Sequence, residues 1–389
     1  MFTLIKNAEI YAPEYKGKKD VLIAVNKIAQ IEDHIDLPES LAPKVINGEG
    51  KYLFPGFIDS HVHIIGGGGE GGFKTRTPEL NLTEATTAGV TTLVGVIGTD
   101  GTTRKMHDLI AKARGLEEEG LTCYVHTGSY QVPVKTLTGK IEDDLILIDR
   151  IIGVGEIAIS DHRSSQPTAE EITKIASAAR IGGMLSGKAG IVNVHVGDSP
   201  AKLALLEDVV NKTDIPIKTF HPTHINRNGA LFEAGLLYAK QGGYIDFTTS
   251  TIPQFLEEGE VKCSSGLKCA LEAGVPIEQI TFTSDGQASL PAFNENGEFA
   301  GLQIGRVSSL YKEVKDAILT EGIAIETAIK VITKNPAHLL KLKTKGEIAE
   351  GKDADMVLVH KESLEMETVL AKGEVMILEG EIVKKGTFE

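Results

Sequence analysis

Residues 54–63 read Phe-Pro-Gly-Phe-Ile-Asp-Ser-His-Val-His, a strand-forming run that ends in two histidines. From about Leu53 to Leu342, apolar runs of strand length alternate with longer segments of helical period, such as 103–119, 168–184 and 323–342. The predicted strands are 54–64, 90–98, 122–130, 153–160, 191–197, 217–226, 244–250 and 280–285. Eight buried runs with crossover helices require a parallel sheet of the α/β class, and their number favours a closed (β/α)8 TIM barrel. An open doubly wound sheet is the alternative, although no glycine-rich dinucleotide motif follows the first strand.

Both ends of the chain have a different pattern, with short β-branched strands between Gly, Asn and Lys turns at 20–31, 355–360 and 374–385. A few short strands alone are marginally stable in water. We therefore expect the two ends to pair in a small β-sandwich-like domain made from residues 1–53 and 344–389. The barrel, residues 54–343, would be inserted between its halves.

Composition indicates a metabolic protein in a reducing compartment. The chain has 389 residues and a net charge of −14 with no long basic run, which argues against a nucleic-acid or membrane partner. Its three cysteines (Cys123, Cys263 and Cys269) lack the spacing of a disulfide framework or a thiolate zinc site. The N-terminus lacks the features of a secretory signal, and no segment is long enough to span a bilayer. We expect a cytoplasmic location.

Four histidines and an aspartate fall at predicted strand ends. His61 and His63 close the first strand, and residues two apart on a strand share a face, so both imidazoles can reach one ion. This pair alone is ambiguous, because buried histidines often pair with carbonyl groups instead. His195, His224 and Asp285 end strands five, six and eight. Barrel enzymes build their sites from such strand ends, so the joint pattern predicts a metal centre.

The chemistry of these ligands predicts hydrolysis. Histidine and carboxylate ligands without thiolates suit zinc first, with manganese, cobalt and iron as alternatives. A bound metal lowers the pKa of water to about 7 and polarises a carbonyl oxygen, so it supplies hydroxide at neutral pH.

Two blocks, residues 54–63 and Gly-Lys-Asp-Ala-Asp-Met-Val-Leu-Val (351–359), resemble the amidohydrolase superfamily. Within it, the isoaspartyl dipeptidases (β-aspartyl peptidases) are similar in four further blocks: His-Val-His-Ile-Ile-Gly-Gly-Gly-Gly-Glu (61–70), Ile-Ser-Asp-His-Arg-Ser (159–164), Pro-Thr-His-Ile-Asn-Arg-Asn (222–228) and Ser-Asp-Gly (284–286). The resemblance covers essentially the whole chain. It implies hydrolysis of β-aspartyl dipeptides by a homo-oligomer.

The resemblance also implies a binuclear zinc site with two groups of ligands: His61, His63 and Asp285 on one ion, and His195 with His224 on the other. That family bridges the ions with a carboxylated lysine on strand four, where this chain has Glu156. Glutamate offers the same bidentate anion on a shorter side chain. We expect Glu156 to bridge the ions; the alternatives are a ligand of one metal or a partner of a neighbouring cation.

A glycine run at 66–69, followed by Glu70, comes directly after the first two histidines. Backbone without a Cβ can approach a substrate closely there, although a mobile lid is the alternative interpretation. By resemblance, Glu70 holds the α-ammonium group of the substrate, and Gly68, Gly69 and Thr99 line the pocket.

Arg163 and Arg227 follow strands four and six, on the side that carries the ligands. Guanidinium groups suit bidentate capture of carboxylates, whereas a surface ion pair is the ordinary role of an isolated arginine. Two such groups predict an acidic or dianionic substrate. The resemblance assigns them, with Ser289, to the substrate carboxylates.

Tyr130, near the end of strand three, is placed to donate a hydrogen bond to a developing oxyanion, with a core tyrosine as the alternative. The predicted mechanism is attack of a metal-activated hydroxide on the side-chain amide of a β-aspartyl dipeptide. Asp285 accepts the proton and returns it to the leaving amine. For His162 and His221 the sequence predicts no direct role; they orient ligands or are packed polar residues.

Two other functions compete with this one. The first is a cyclic amidohydrolase, of the dihydroorotase or hydantoinase kind; the Glu70 block and the two arginines favour the dipeptidase. The second is a non-catalytic assembly module that keeps the fold. The retained histidines and Asp285 argue against a module, and only the missing lysine supports one.

Overall fold

The structure is a computed structural model that describes residues 2–293 and 299–389. Its strands are β1 (Phe2–Tyr11), β2 (Tyr15–Ala24), β3 (Lys27–Glu32), β4 (Lys44–Asn47), β5 (Lys51–Pro55), β6 (Phe57–Val62), β7 (Val90–Gly95), β8 (Thr122–Thr127), β9 (Ile151–Ile159), β10 (Ile191–Val196), β11 (Phe220–Thr223), β12 (Ile245–Thr248), β13 (Ile280–Thr283), β14 (Ser289–Phe293), β15 (Phe299–Ile304), β16 (Met356–His360), β17 (Met366–Ala371), β18 (Glu374–Leu378) and β19 (Glu381–Ile382). Its α-helices are α1 (Leu82–Thr86), α2 (Met106–Glu118), α3 (Ile141–Leu147), α4 (Ala169–Ser186), α5 (Ala204–Lys212), α6 (Gly229–Lys240), α7 (Pro253–Glu257), α8 (Cys263–Glu272), α9 (Ser309–Leu319), α10 (Ile325–Ala328) and α11 (Lys334–Leu339).

Eight parallel strands, β6 to β13, form the central barrel. Strands β6 to β11 pair in chain order and β12 pairs with β13. The barrel closes from β13 to β6, where His63 N donates to Gly286 O at 2.9 Å. Between β11 and β12 the Asn226 amide takes the place of a strand ladder, since its Nδ2 donates to Thr248 O at 3.1 Å and its Oδ1 accepts from Thr248 N at 2.8 Å. The predicted α/β barrel is confirmed.

The predicted first barrel strand, 54–64, is two strands in the structure. β5 belongs to the sheet formed by the chain ends and β6 to the barrel, with Gly56 between them. Gly56 N donates to Asp355 O at 2.8 Å, and a Cβ on Gly56 would lie only 2.3 Å from Thr91 Oγ1. The chain can pass from one sheet to the other only where no side chain is present.

The helical segments agree with the sequence pattern except near the end of the barrel. Helix α4 begins after Thr168, whose hydroxyl accepts from Glu171 N as an N-cap. The predicted helix 323–342 is instead α10, a short 3-10 turn at Ile329–Ile332, and α11. The break lies one turn before Pro336, because a proline ring clashes with the carbonyl group four residues earlier and lacks a donor for it.

The strands from both chain ends pair with each other, as predicted. Nine strands form one continuous mixed sheet, in the order β19-β18-β17-β16-β5-β1-β2-β3, with β4 beside β1. β5 joins the halves, since it pairs parallel with β1 and antiparallel with β16. Side chains from both halves, such as Ile5, Leu53 and Leu358, share a core separate from that of the barrel. The domain boundaries at 53/54 and 343/344 stay a prediction.

The three cysteines form no disulfide in the described part of the chain. None of the helices in residues 2–293 and 299–389 combines the length and the apolarity needed to cross a bilayer.

Candidate active site

The barrel brings together the histidines and the aspartate that the sequence placed at strand ends. His61 lies in β6 and His63 follows it directly, while Asp285 follows β13, the neighbour of β6 in the closed barrel. Asp285 Oδ1 lies 3.5 Å from His61 Nε2 and 3.1 Å from His63 Nε2. These three residues therefore form one compact group of potential metal ligands.

Glu156, on β9, lies at the centre of the histidines. Its Oε1 is 3.5 Å from His63 Nε2, and its Oε2 is 3.4 Å from His61 Nε2, 3.3 Å from His195 Nδ1 and 3.8 Å from His224 Nε2. The side chain is 1% exposed. The shorter side chain of glutamate thus still reaches every imidazole of the group.

The unpaired atoms of this group fit a divalent cation. Five buried side-chain atoms of this group make no hydrogen bond within the described residues: His61 Nε2, His63 Nδ1, Asp285 Oδ1 and both carboxylate oxygens of Glu156. Buried polar atoms without a partner are rare and call for an explanation. Burial opposes the charged form of His61, but the carboxylates of Glu156 and Asp285 outweigh it and raise the pKa of His61 to about 10. The site thus attracts positive charge, and imidazole with carboxylate is a donor set typical of zinc.

Two of the predicted ligands have a left-handed backbone conformation. His224 directly follows β11 and has φ 64°. Asp285 is the second residue after β13 and has φ 53°. Such conformations cost free energy for residues other than glycine, and they cluster at functional sites.

Neighbouring strands orient the imidazoles. His61 Nδ1 lies 3.0 Å from Asn193 Oδ1, so Nδ1–H donates to the amide and the Nε2 lone pair faces Glu156. His224 is oriented in the same way, because its Nδ1 lies 2.6 Å from Thr248 Oγ1. Neither partner was predicted from the sequence. Asn193 had a signal, since it is two residues before His195 and therefore shares its strand face.

His195 has the opposite orientation. Its Nε2 lies 2.9 Å from Asp161 Oδ2, while its Nδ1 faces Glu156 and also lies 2.8 Å from the Tyr130 hydroxyl. Burial raises the pKa of Tyr130 well above its ordinary value, so at neutral pH this hydroxyl is protonated and can donate. The sequence also predicted no role for Asp161.

A cavity of about 460 Å³ opens above this group. Its wall includes most residues that the sequence analysis selected: His63, Gly68, Glu70, Thr99, Tyr130, Arg163, His195, His224, Arg227, Asp285 and Ser289. His61 and Glu156 lie beneath it. Gly69 is not part of the wall, and its N–H donates within its own loop to Thr75 O at 3.2 Å.

Charged side chains of both signs line the outer part of this cavity. Glu70 Oε1 accepts from Thr99 Oγ1 at 3.0 Å and lies 3.6 Å from Arg163 Nη1. Arg163 also donates to Asp161, from Nε at 3.0 Å and from Nη2 at 2.7 Å. Arg227 Nε is buried and has no hydrogen-bond partner within residues 2–293 and 299–389. The cavity can therefore bind a molecule that carries both carboxylate and ammonium groups.

The two histidines without a predicted role differ. His162 is exposed beside Asp161 and is not part of the cavity wall. His221 is buried inside the barrel, with Nε2 2.8 Å from Thr281 Oγ1 and Nδ1 3.3 Å from Asn193 Nδ2. His221 therefore supports the amide that orients His61.

The model of the amidohydrolase family matches residues 52–376 of this chain. The chain belongs to the amidohydrolase family.

Within that class, the chain is similar to the β-aspartyl dipeptidase of Fervidobacterium islandicum AW-1, whose structure was solved in complex with a β-Asp-Leu dipeptide. The two are 47% identical, the match covers 98% of each chain, and the TM-score is 0.90. Curated relatives include an allantoinase of Deinococcus radiodurans, 24% identical over 92% of this chain and 86% of its own length. A dihydroorotase of Lactiplantibacillus plantarum is 24% identical over 96% and 93%. The resemblance to isoaspartyl dipeptidases is thereby confirmed.

The close packing of Gly98 against the site gives a first prediction. A Cβ on Gly98 would lie 2.8 Å from His63 Cε1 and 3.3 Å from Glu156 Oε1. Gly98→Ala should displace the imidazole and lower the affinity for a divalent metal ion about 10- to 100-fold, the loss typical when a ligand loses its orientation. Competition with a chromophoric chelator measures this affinity. Gly115→Ala is the matched control, because a Cβ there meets nothing within 4 Å; equal affinities in the two variants would contradict the packing argument.

Proposed function

We propose that this chain hydrolyses β-aspartyl dipeptides. The observation that carries the proposal is one cavity in which Glu156 and its imidazoles lie beneath Glu70, Arg163 and Arg227. A β-aspartyl dipeptide has one ammonium group and two carboxylates, which matches one acidic and two basic side chains. The likeness to a β-aspartyl dipeptidase along 98% of the chain supports the same conclusion.

Two zinc ions are the proposed cofactor. His61, His63 and Asp285 would hold one ion, His195 and His224 the other, and Glu156 would be shared, since its two oxygens face different members of the group. When bound, zinc lowers the pKa of water and polarises a carbonyl oxygen, which is the chemistry that amide hydrolysis needs.

Glu70, Arg163, Arg227 and Ser289 would bind the substrate. The carboxylate of Glu70 pairs with the α-ammonium group, and Thr99 holds that carboxylate by its hydrogen bond at 3.0 Å. The guanidinium groups pair with the carboxylates, for which their planar donors are suited. The cavity has a size common for sites that bind small ligands, so a bound dipeptide would fill it and displace water from it.

Asp285 is the proposed general base and acid. Unlike Glu156, it lines the cavity, and 15% of its side chain is exposed, so it can meet both the attacking water and the leaving nitrogen. It accepts a proton from water as the oxygen adds to the amide carbon, and it returns that proton to the amine as the C–N bond breaks.

Tyr130 is the proposed oxyanion donor. Its hydroxyl contacts His195 Nδ1 at 2.8 Å. If His195 Nδ1 held a metal ion, the Tyr130 hydroxyl would no longer donate to that nitrogen and its O–H would be free to donate to the substrate oxygen.

A substrate panel tests the proposed function. The zinc-loaded protein should hydrolyse β-Asp-Leu and leave α-Asp-Leu, dihydroorotate, hydantoin and allantoin unchanged. α-Asp-Leu carries the same charged groups, but its amide is formed by the α-carboxyl group and therefore lies at a different place relative to them, and the three cyclic compounds have no ammonium group for Glu70. Release of free amino acid, followed by chromatography, measures turnover. Ring opening without dipeptide cleavage would replace this proposal with a cyclic amidohydrolase. A protein that hydrolyses none of these compounds and binds no zinc would instead be a non-catalytic assembly module that keeps the fold.

Asp285→Asn tests the proton transfer. The amide keeps the shape of the side chain but cannot accept a proton, so kcat should fall by about a hundredfold to ten-thousandfold, the usual contribution of general acid–base catalysis. Far-ultraviolet circular dichroism and thermal unfolding should match the parent protein. Asp208→Asn, at a partly exposed position on α5 outside the cavity wall, is the matched control. Substantial turnover by Asp285→Asn would assign the proton transfer to another group.

Glu156→Gln tests the shared ligand. Removing the anion while keeping the shape should lower the zinc content from two ions per chain to one or none, and turnover should fall with it. Elemental analysis of protein dialysed against excess zinc measures the content. Glu170→Gln, on the exposed face of α4, is the control and should keep both ions. Two ions in Glu156→Gln would show that the carboxylate does not bridge.

A further inference from the structure

We propose that Asp161 is a positioning residue that couples a metal ligand, His195, to a substrate-binding group, Arg163. This inference rests on the proposed function for the roles of its two partners. Asp161 follows β9 and is 4% exposed. Its Oδ2 lies 2.9 Å from His195 Nε2 and accepts from Arg163 Nη2 at 2.7 Å, while its Oδ1 accepts from Arg163 Nε at 3.0 Å.

Asp161 fixes which nitrogen of His195 carries the proton. A carboxylate only accepts hydrogen bonds, so Nε2 must be the N–H and Nδ1 keeps its lone pair. That lone pair faces Glu156 Oε2 at 3.3 Å. His61 and His224 are the reverse, because Asn193 and Thr248 engage their Nδ1 atoms and Nε2 faces the site.

Of these three imidazoles, His195 is therefore the one that an anionic side chain orients. The partners of His61 and His224 are an amide and a hydroxyl, which are neutral. A carboxylate makes the bound imidazole a stronger electron donor, and such outer partners tune metal affinity.

The same carboxylate determines which face of Arg163 is available. Nε and Nη2 are held by Asp161, and the backbone N–H of Arg163 also donates to Asp161 Oδ1 at 2.8 Å. Nη1 remains directed to the cavity, 3.6 Å from Glu70, and the guanidinium lies over the Tyr130 ring, 5.4 Å from its centroid. Without Asp161, the guanidinium would lose the fixed edge that it presents to a substrate carboxylate.

Asn is an informative replacement, because it cannot serve both partners. If its oxygen accepts from Arg163, its NH2 group faces His195 Nε2 and favours the other tautomer. If its oxygen accepts from His195, its NH2 group faces the N–H groups of Arg163. In both arrangements one of the two interactions is lost.

The experiment compares Asp161→Asn, Arg163→Met and the double variant. Metal-free proteins are titrated with Co²⁺, whose visible d–d absorption reports binding and ligand geometry, and KM and kcat are measured with β-Asp-Leu. Asp161→Asn should lower the Co²⁺ affinity about 10- to 100-fold and shift the absorption bands. It should also raise KM about tenfold, the scale of one lost hydrogen bond to a charged group.

Arg163→Met should raise KM to a similar extent and keep the Co²⁺ affinity of the parent protein. In the double variant the loss of Co²⁺ affinity should persist, with no further rise in KM. Asp198→Asn is the control for charge, because it removes an exposed carboxylate that lines the same cavity but contacts neither His195 nor Arg163 among the described residues. It should keep the Co²⁺ affinity.

Parent-like Co²⁺ affinity in Asp161→Asn would overturn the proposal, and so would an equal loss in Arg163→Met. A measurement on the parent protein covers the case in which the variant does not fold. In zinc-loaded protein with ¹⁵N-labelled histidine, the His195 resonances, assigned with His195→Gln, should show a protonated Nε2, and a protonated Nδ1 would overturn the proposal. The Co²⁺ and ¹⁵N results do not depend on substrate, so failure to cleave β-Asp-Leu would reject the proposed function alone.

Discussion

The buried carboxylate of Glu156 is the interaction around which the rest of the site is organised. Four imidazoles from three different strands approach it within 3.8 Å, and no backbone group satisfies its oxygens among the described residues. A buried anion is costly unless positive charge compensates it. The barrel therefore supplies a charge arrangement that a cation completes, and the orientation of every neighbouring imidazole follows from that need.

The orientation itself is distributed over the barrel. Three side chains orient three imidazoles: Asn193 orients His61, Thr248 orients His224 and Asp161 orients His195. Each of them lies on a different strand or loop from the imidazole that it orients. His221 and Thr281 extend this arrangement deeper, towards the buried Asp246, which accepts from Thr281 Oγ1 at 2.7 Å. Polar groups thus continue from the cavity into the barrel interior, where an apolar core would otherwise be expected.

The sequence predicted the barrel and the ligand positions for a simple physical reason. Strand periodicity puts His61 and His63 on one face, and parallel strands bring their carboxyl ends, with His195, His224 and Asp285, to one rim. It did not predict Asp161 or Thr248, because their contacts depend on rotamers that packing between distant segments decides. The break at Gly56 was also missed, because an apolar pattern continues through it while the chain changes sheets.

Strand β5 is synthesised early but pairs with a strand that is synthesised late. Its antiparallel partner, β16, comes about three hundred residues later, and Gly56, at the start of the first barrel strand, donates to Asp355 beside β16. During synthesis on the ribosome, one edge of β5 must therefore stay uncovered until β16 has emerged. An uncovered strand edge is a template for aggregation, so a truncation that removes β16 threatens solubility although it removes no residue of the cavity wall.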